Sequence, residues 1–544
     1  MEEKEIKHSP EEIYRQYEKG VEYKSAIRLY DNCKLNQEFF FGNQWDGVVA
    51  PDIEKPVINI VRQAIDYYIS MLVSDDIGIQ PILPEDLPET VRQAIEYVVT
   101  TEMDKVIEDI KFKAKCRDVV KNAALDGDHQ FYFWFNSSKN AGHEYPGGID
   151  CIGIDSTNLI HADPTEFDVE RQEYVLIVQK LPVEHIKKML KANKKEEFMT
   201  IDEDSDQQDA MESYAREVNK YGTVITKFYR ADDGFIHAVK TTKKQLIKDD
   251  VNLMIKHYPI ARMGWRKRKN SYHGESPITP IRPNQIMINK YYMMINEWTK
   301  KMSFPKILFD KTKIASWTNR IEAIGVNGDV REAFMSSTPN MQLGSEVIGF
   351  LENLIQKTKD TLGIFDAALG NARPENTSAI IAIQKAASQP LELQKMDYYD
   401  FVESSVRIML DLMAANYGVR NLPIEIVPTE DEIAMLQMTG DDGALQLKGV
   451  PFDFAEISSD KISLQIDVGA SAYWSEIMQI QTLDNMFRAG IIPDAKTYIE
   501  QMPNGIVKSK QDILDAIERK EAQVMQQQMM AMQMGGVPGQ GNPV

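Results

Sequence analysis

The stretch from Asn284 to Met302 constrains the fold most, because apolar residues cover nearly all of its surface if it is a helix. Five of them recur at spacings of 3, 4, 3 and 4 residues, a mean of 3.5, as in a helix packed along its length on a neighbour. These five are Ile288, Tyr291, Ile295, Trp298 and Met302, and the surface is widened by Met287, Tyr292, Met293 and Met294. A helix of this kind is buried on several sides, and the obvious partner within the chain is the helical pattern at 346–362. The sequence therefore predicts that further copies of the chain supply the remaining contacts.

The elements that follow this helix come in an unusual order. Residues 304–340 combine turns with short strand patterns, which predicts a β-rich insert, and Glu346 to Leu362 is helical again. The small residues, Gly and Pro of Phe365 to Glu375 then predict a loop. A helical pattern capped by Asn376-Thr377 continues to about Tyr417, and its roughly 41 residues would span about 60 Å. Pro390 lies inside this pattern and predicts a kink there.

The rest of the chain combines helical and strand patterns and predicts an α+β fold. Helical spacing occurs in four early segments and in a short basic one, namely 11–29, 58–73, 89–106, 113–124 and 187–197. Strand patterns occur at 130–135, within 149–182, on both sides of a turn at 231–234, and at 424–427 and 462–468. Helices are predicted again at 474–489, 495–501 and 510–528. The tail beyond them is rich in Gln, Met, Gly and Pro, and we expect its end to be disordered.

The charge balance excludes a protein that wraps tightly around nucleic acid. Lys and Arg number 62 against 82 Asp and Glu, a formal charge of −20, whereas phosphate binding needs a cationic surplus at the contact. Such a surface can still guide DNA without gripping it. The cysteines, Cys33, Cys116 and Cys151, lie far apart, so neither a disulfide framework nor a zinc site is expected. The sequence shows no signal peptide and no apolar stretch long enough to span a membrane, which predicts a soluble intracellular protein.

The common catalytic signatures are missing from the sequence, which predicts neither an enzyme of those kinds nor a bound cofactor. The sequence contains no GxxxxGKS/T, GxGxxG, HExxH or GxSxG motif. Asp202 to Asp206 imitates the opening of a calcium loop, but Gln207 and Ser213 stand where that loop needs Gly and Glu. We interpret this segment as a solvated acidic loop.

Asp126-Gly127-Asp128-His129 is the best candidate for a catalytic cluster. Two carboxylates and an imidazole can hold a divalent ion for phosphodiester hydrolysis. Gly and Asp also suit a turn between a helix and an aromatic strand, and no second His or Asp cluster is identifiable as a partner. We favour the turn and keep as the alternative function a metal-dependent phosphodiesterase that uses Asp126, Asp128 and His129.

The densest basic cluster lies within 262–272. It consists of Arg262, Arg266, Lys267, Arg268 and Lys269, accompanied by Trp265 and Tyr272. Cations bind phosphate and aromatic rings stack on bases, so contact with nucleic acid is one interpretation. In a chain this acidic we favour a solvated loop, or pairing with an acidic neighbour in an assembly.

Six short motifs, taken in order, resemble those of one protein family over nearly the full length of the chain. They are Phe39 to Trp45, Lys55 to Asn59, His273 to Pro277, Pro283 to Gln285, Ala368 to Asn371, and Asn376 to Ala379. Their order, and that of the elements around the apolar helix, is similar to the portal proteins of tailed bacteriophages. The chain therefore resembles a head-to-tail connector of the dodecameric portal family, whose members form rings of usually twelve subunits at one capsid vertex.

The resemblance implies a ring subunit with a wing, a helical stem, a β-rich clip, a tunnel loop, a long kinked wing helix and a helical crown. In this numbering it places an N-terminal arm at 1–25, the wing at 26–277 and 377–470, stem helices at 278–303 and 345–364, the clip at 304–344, the tunnel loop at 365–376, the crown at 471–530 and a disordered tail at 531–544.

The resemblance also implies a conduit without enzymatic activity, assembled in the host cytoplasm and located in the virion, through which double-stranded DNA is packaged and ejected. The implied partners are the large terminase subunit, the major capsid protein and scaffold, and a head–tail connector or adaptor protein, with no membrane, metal or cofactor. In the tunnel loop, Asn371 and Arg373 are placed to touch phosphate, while Asp366 and Glu375 oppose a strong grip. On the clip, the implied contacts for DNA or adjoining proteins are Lys306, Lys311, Lys313 and Arg320.

Overall fold

The computed structural model describes most of the chain and shows a mixture of helices and sheets, which confirms the α+β class. The described residues are 8–73, 77–82, 89–139, 145–193, 221–302, 306–314, 326–337, 345–364, 389–422, 450–457 and 463–468, with five isolated positions between 483 and 498. The chain divides into two units, one of 1–73 with 79–466 and the other of 74–78 with 467–544. No helix in the described ranges is long and apolar enough to cross a membrane.

Helices occupy most of the segments whose spacing predicts them. Those in the described residues are α1 (Pro10–Ala26), α2 (Leu29–Phe41), α3 (Ile60–Leu72), α4 (Glu89–Tyr97), α5 (Met103–Asp109), α6 (Phe112–Asp126), α7 (Val183–Ala192), α8 (Arg282–Met302), α9 (Val330–Ala333), α10 (Ser345–Thr361) and α11 (Glu392–Asn416). Local caps start two of them. Ser9 accepts a hydrogen bond from the Glu12 amide (3.3 Å) at α1, and Asn59 accepts one from the Arg62 amide (3.0 Å) at α3.

Three predicted helices differ from the structure. One of them, predicted at 89–106, contains a π-helical turn at Val98–Glu102 and ends later, at Asp109. The pattern at 11–29 predicts one helix, but α1 ends at Ala26 and α2 begins at Leu29, because Arg28 adopts a left-handed backbone with φ of 56°. Left-handed backbone favours Gly or Asn, so an arginine gives no indication of this break. The short helix predicted at 187–197 spans Val183–Ala192 instead, and the predicted positions 194–197 lie outside the described residues.

Antiparallel pairing builds the larger sheets. Within the part of the chain that the structure describes, the strands are β1 (Ile77–Ile82), β2 (Asp128–Asn136), β3 (Gly148–Asp155), β4 (Leu159–His161), β5 (Tyr174–Pro182), β6 (Tyr221–Arg230), β7 (Ile236–Thr241), β8 (Leu246–Asn252), β9 (Ile260–Gly264), β10 (Lys306–Phe309), β11 (Phe334–Ser337), β12 (Val419–Leu422), β13 (Val450–Asp453) and β14 (Ser463–Val468). One sheet has the order β4-β5-β6-β7-β8 and another β3-β2-β9, while β1-β14, β10-β11 and β12-β13 form pairs. The hairpin predicted around 231–234 is confirmed as β6-β7.

The apolar core lies where helices cover the two larger sheets. On the five-stranded sheet, α1 places Ile13 and Tyr17 against Ile160, Leu176 and Ile225, all of them buried. Burying one such side chain contributes about 1.5–3 kcal/mol. This packing holds the N-terminal helix on the sheet.

An aromatic cluster joins α6, β2 and α11. The rings of Phe112 and Phe401 are stacked with centroids 6.4 Å apart, and Phe131 meets Phe401 edge-on at 5.4 Å. Offset stacks and edge-on contacts are the favoured geometries for aromatic pairs. The cluster fixes α11 on the three-stranded sheet.

The turn between α6 and β2 is built around Gly127, as the sequence predicts. Gly127 has a φ of 99°, and a Cβ there would lie 2.5 Å from the carbonyl oxygen of Gly274. The Trp265 amide also donates to the Gly127 carbonyl (2.8 Å). The loop that follows β9 is therefore held directly against the helix-to-strand turn.

The helix predicted from Asn376 to Tyr417 is described only from Gln389 onward. Gln389–Leu391, which contains Pro390, is a 3₁₀ turn, and α11 begins after it at Glu392. Proline has no amide hydrogen to donate, so it suits the entry to a helix better than its interior. The predictions for 376–388, the acidic loop at 202–206, the strand at 424–427, the tail and nearly all of the crown lie outside the described residues.

Candidate functional site

A helical hairpin contains the residues predicted to pack in an assembly. α8 and α10 lie side by side, with the ring centroids of Tyr291 and Phe350 5.4 Å apart. The side chain of Met302 lies outside the described set. Along the rest of the predicted seam, one side chain is fully buried and three are half-buried, in the order Ile288, Tyr291, Ile295 and Trp298. Burial within one chain is therefore greatest near the start of α8.

Two buried amide side chains fasten the start of α8, and the sequence analysis missed both. Gln285 donates to the carbonyl of Ile58 (2.6 Å) and accepts from the amide of Ile60 (3.1 Å). One turn later, Asn289 accepts from the amide of Ile58 (3.2 Å) and donates to the side chain of Gln44 (2.6 Å). Their spacing of four residues places the two amides on one face of the helix, and this is the signal that indicates them. These bonds fix α8 to the segment that precedes α3.

This hairpin leaves several large apolar side chains uncovered in the single chain. Six large side chains there are 37% to 59% exposed. We call them the stem surface: Ile286, Met287, Tyr292 and Met294 on α8, with Ile348 and Phe350 on α10. Exposed large apolar residues on several sides of a helical hairpin are typical of surfaces that other molecules cover.

The predicted clip cations lie partly within the described residues. β10 and β11 pair antiparallel, with Lys306 opposite Ser337, although the Lys306 side chain and all of Arg320 lie outside the described set. Lys311 is exposed, and Lys313 pairs with a glutamate on α9 at 2.9 Å. In the described chain this sheet has two strands, so both of its outer edges are open to pairing.

The predicted tunnel-loop residues lie outside the described ones, but both ends of their segment are described. Those residues are Asp366, Asn371, Arg373 and Glu375. Gly363 follows α10 with a φ of 73°, and a Cβ there would lie 3.2 Å from the Cβ of Pro390. The hydroxyl of Tyr68 donates to the carbonyl of Leu362 (2.7 Å) and fixes the first end on α3. The chain on either side of 365–388 therefore starts and ends at neighbouring points.

The candidate acidic cluster does not gather into one metal site. Asp128 and His129 are neighbours on β2, so their side chains leave opposite faces of the sheet. His129 lies 3.7 Å from Asp155, and burial lowers the pKa of His129 to about 4. Burial, followed by the charges of Asp155 and Asp128, raises the pKa of Asp126 to about 8. Within the described ranges, no three His, Cys, Asp or Glu side chains are placed to hold a metal ion.

Asp128 instead belongs to a buried charge network that the sequence analysis missed. Its carboxylate accepts hydrogen bonds from His273 Nδ1 (3.0 Å) and the Arg262 guanidinium (3.4 Å), and each of these three side chains is at most 5% exposed. Burial acts to raise the pKa of Asp128, but the charges of His273 and Arg262 hold it well below its usual range. We call these three residues the Asp128 network. The partners are 134 and 145 residues from Asp128 in sequence, so no local pattern indicates them.

Lys24 is a second buried charge that no sequence pattern indicates. Its ammonium group donates to the carbonyl oxygens of Ser156 (2.7 Å), Thr157 (3.0 Å) and Leu159. Burial lowers the pKa of Lys24 to about 7, and the charge of Asp128 opposes that shift. These bonds join α1 to the start of β4.

The basic cluster divides into an interior part and a surface part. Arg262 belongs to the Asp128 network, and its guanidinium lies 4.1 Å from the ring centroid of Phe167 and 4.3 Å from that of Tyr272. Lys267 is exposed and pairs with Asp397 at 3.2 Å. The other exposed members are Arg266, Arg268 and Lys269. The prediction of one surface cluster is therefore wrong for Arg262, because the carboxylate of Asp128 provides the counter-charge of Arg262 inside the protein.

Two arrangements thus distinguish this chain: the stem surface and the Asp128 network. No protein-family model matches the sequence, and no curated protein matches it. The functional argument rests on these two arrangements and on the resemblance noted in the sequence.

Proposed function

We propose that this chain is a ring-forming DNA conduit of the kind found at the portal vertex of tailed bacteriophages, without enzymatic activity of its own. The stem surface is the observation that carries the proposal. Each chain exposes six large apolar side chains there, and removing such area from water is favourable by about 25 cal/mol per Å². Further copies of the chain, packed side by side through α8 and α10, supply the missing cover.

The anchoring of α8 supports a repeated and closed assembly. Gln285 and Asn289 fix the helix to the body, so every copy presents its stem surface in the same orientation. One contact repeated between identical copies gives a ring when the rotation between neighbours closes. The resemblance to portal proteins supports a rotation that yields twelve copies.

Charge supports passage of DNA without a tight grip. Twelve copies at −20 each carry a formal charge of −240, and strong phosphate binding needs a local cationic surplus. In this proposal Asn371 and Arg373 touch the phosphates of passing DNA, and Asp366 and Glu375 limit the strength of that contact. Gly363 and Pro390 lie at neighbouring positions, so that segment leaves and rejoins each copy at one place.

The tip formed by β10 and β11 is the proposed docking point for other proteins. Lys306, Lys311 and Lys313 lie on one short stretch there, and Arg320 follows in the same insert. The large terminase subunit docks at this tip during packaging and supplies ATP hydrolysis, and the head–tail connector binds afterwards. The major capsid protein and scaffold surround the ring in the virion.

Electron microscopy of the purified full chain, with mass from light scattering, tests this proposal. We expect rings with a central hole and a mass near 745 kDa, twelve times 62.1 kDa. Monomers at every concentration would contradict it. Metal-dependent DNA cleavage that a folded Asp126→Asn or Asp128→Asn variant loses would favour the phosphodiesterase instead.

A further inference from the structure

The attachment of β8 to the five-stranded sheet is irregular. In the described part of the chain β8 ends that sheet, so β7 is its pairing strand there. Between two regular pairs of this ladder, Asp249 and Asp250 of β8 lie opposite the single residue Val239 of β7, which is a β-bulge. Beyond the bulge, Lys240 lies directly opposite Lys248, and like charges in that position are unfavourable. The backbone ladder alone therefore holds this edge of the sheet weakly.

A histidine side chain connects the bulge to the turn between β6 and β7. His237 on β7 lies 2.9 Å from Asp250 through its Nδ1 and 3.2 Å from Asp233 through its Nε2. Asp233, in the turn, also accepts hydrogen bonds from the Phe235 amide and the Asn252 side chain, each of 2.9 Å. The His237 side chain is 16% exposed, and the two carboxylates are 43% and 45% exposed. We call His237, Asp233 and Asp250 the His237 bridge.

The charge of His237 decides whether both of its contacts are hydrogen bonds. An ionised carboxylate only accepts, and a neutral imidazole has one N–H to donate. Hydrogen bonds from both ring nitrogens therefore require the imidazolium, and loss of its proton leaves a nitrogen lone pair facing a carboxylate oxygen. Burial acts to lower the pKa of His237, but the bonds to Asp250 and Asp233 raise it above its usual value. The folded chain thus holds this proton more tightly than the unfolded chain does.

Tyr229 faces the His237 bridge from β6. Its ring centroid lies 5.7 Å from that of His237, and its hydroxyl bonds to Asp250. The ring of His8 stacks on Tyr229 with centroids 4.1 Å apart, and the Lys227 ammonium lies 5.9 Å from the Tyr229 centroid. Burial, followed by the bond to Asp250, raises the pKa of Tyr229. The phenol therefore keeps its proton at neutral pH, whereas the imidazole of His237 can change charge there.

We propose that the proton on His237 fastens β8 to the sheet, and that β8 separates from β7 more often once alkali removes that proton. This device lies within each chain and does not depend on the proposed ring. Because the folded-state pKa of His237 is raised, the stabilisation is full below the usual value of 6.5 and is lost as the pH rises through the folded-state value. Both carboxylates are nearly half exposed, so the opening is confined to β8 rather than spread over the sheet.

Hydrogen–deuterium exchange of the full chain at pH 6 and pH 8.5, corrected for the intrinsic effect of pH on exchange, tests this proposal. We expect the protection of peptides covering Leu246–Asn252 to fall about threefold or more at the higher pH. Peptides of β5 in the same sheet should keep their protection. His237→Gln should remove the pH dependence of β8, because glutamine does not titrate. His185→Gln is the matched control, since His185 is an exposed histidine on α7, and it should retain that dependence.

Two results would overturn the proposal. One is equal protection of β8 at both pH values in the wild type, and the other is a pH dependence that a folded His237→Gln variant retains. Asp250→Asn serves as a second variant that does not rely on the folding of the first. It removes the charge that β8 contributes to the bridge, so it should lower the protection of β8 at pH 6 by about threefold or more. Wild-type protection in Asp250→Asn would contradict the proposal as well.

Discussion

The body of the chain pairs its buried polar side chains internally, whereas its helical hairpin leaves large apolar side chains exposed. In the Asp128 network, every side chain is at most 5% exposed and bonds to a distant part of the same chain. In the stem surface, apolar side chains remain up to 59% exposed, as at Met294. The body therefore completes its contacts by folding, whereas in the proposed ring the hairpin completes them by assembly. Substitutions in the body should alter the free energy of unfolding, and those in the hairpin should alter the mass of the particle.

The largest effect is expected from Asp128→Ala in the body. The substitution leaves Arg262 buried without its counter-charge, so the free energy of unfolding should fall by about 3–5 kcal/mol. Urea unfolding followed by circular dichroism measures this change. The exposed control Asp52→Ala should stay within about 0.5 kcal/mol of the wild type. A loss below about 1 kcal/mol for Asp128→Ala would contradict the claim that the Asp128 network stabilises the folded body.

Asp126 should give a smaller effect with a distinct pH dependence. Burial raises its pKa from 3.8 to about 8, so the folded chain keeps a proton that the unfolded chain releases near pH 4. The stability from this group is therefore full below pH 4 and is lost as the pH rises through 8. Asp126→Asn stays neutral, and we expect its free energy of unfolding to exceed that of the wild type by at least roughly 1 kcal/mol at pH 8 and to match it at pH 4.

Denaturant titrations at the two pH values check this prediction. Asp118→Asn is the control, because Asp118 lies on the exposed side of the same helix, with a side chain that is 65% exposed. We expect it to follow the wild type at both pH values. If Asp126→Asn also follows the wild type at pH 8, the carboxyl of Asp126 is not held protonated in the folded chain.

In the hairpin we expect loss of assembly with little change in folding. Ile348→Glu places a charge on the stem surface, where burying it between copies is costly. Light scattering after gel filtration should therefore show species far smaller than the ring. Ile152→Glu on β3 is the matched control, since Ile152 is 47% exposed and Ile348 is 44% exposed, and this variant should keep the ring. Intact rings from both variants would contradict the proposal that neighbouring copies cover the stem surface.

The smallest effect is expected for the ion pair of Lys313 and Glu332 at the tip. The pair is 2.9 Å long, but the glutamate side chain is 71% exposed and water screens it. A double-mutant cycle with Lys313→Ala and Glu332→Ala should give a coupling energy below about 0.5 kcal/mol. A coupling above about 1 kcal/mol would mean that this tip is buried by a neighbour.

Sequence reasoning located elements well and long-range partners poorly. Helix α3 and the β6-β7 hairpin match their predictions because periodicity, caps and turn residues act locally. The bonds of Asp128 to Arg262 and His273, and the pairing of β12 with β13, join distant segments that only the folded chain brings together. The stem surface could be predicted only in part. The apolar pattern of α8 indicated outside partners, and the structure shows which of its side chains a single chain leaves exposed.

Thiol accessibility in the stem surface tests the central claim most directly. Met294 on α8 and Met254 after β8 are 59% and 65% exposed in the single chain, so cysteines placed at the two positions start from matched exposure. The native thiols, Cys33, Cys116 and Cys151, are buried and give a low background. We predict that a maleimide modifies Met294→Cys roughly tenfold or more slowly than Met254→Cys in the purified protein, because neighbouring copies cover the first position. Equal rates at the two positions would contradict the claim that assembly completes the stem surface.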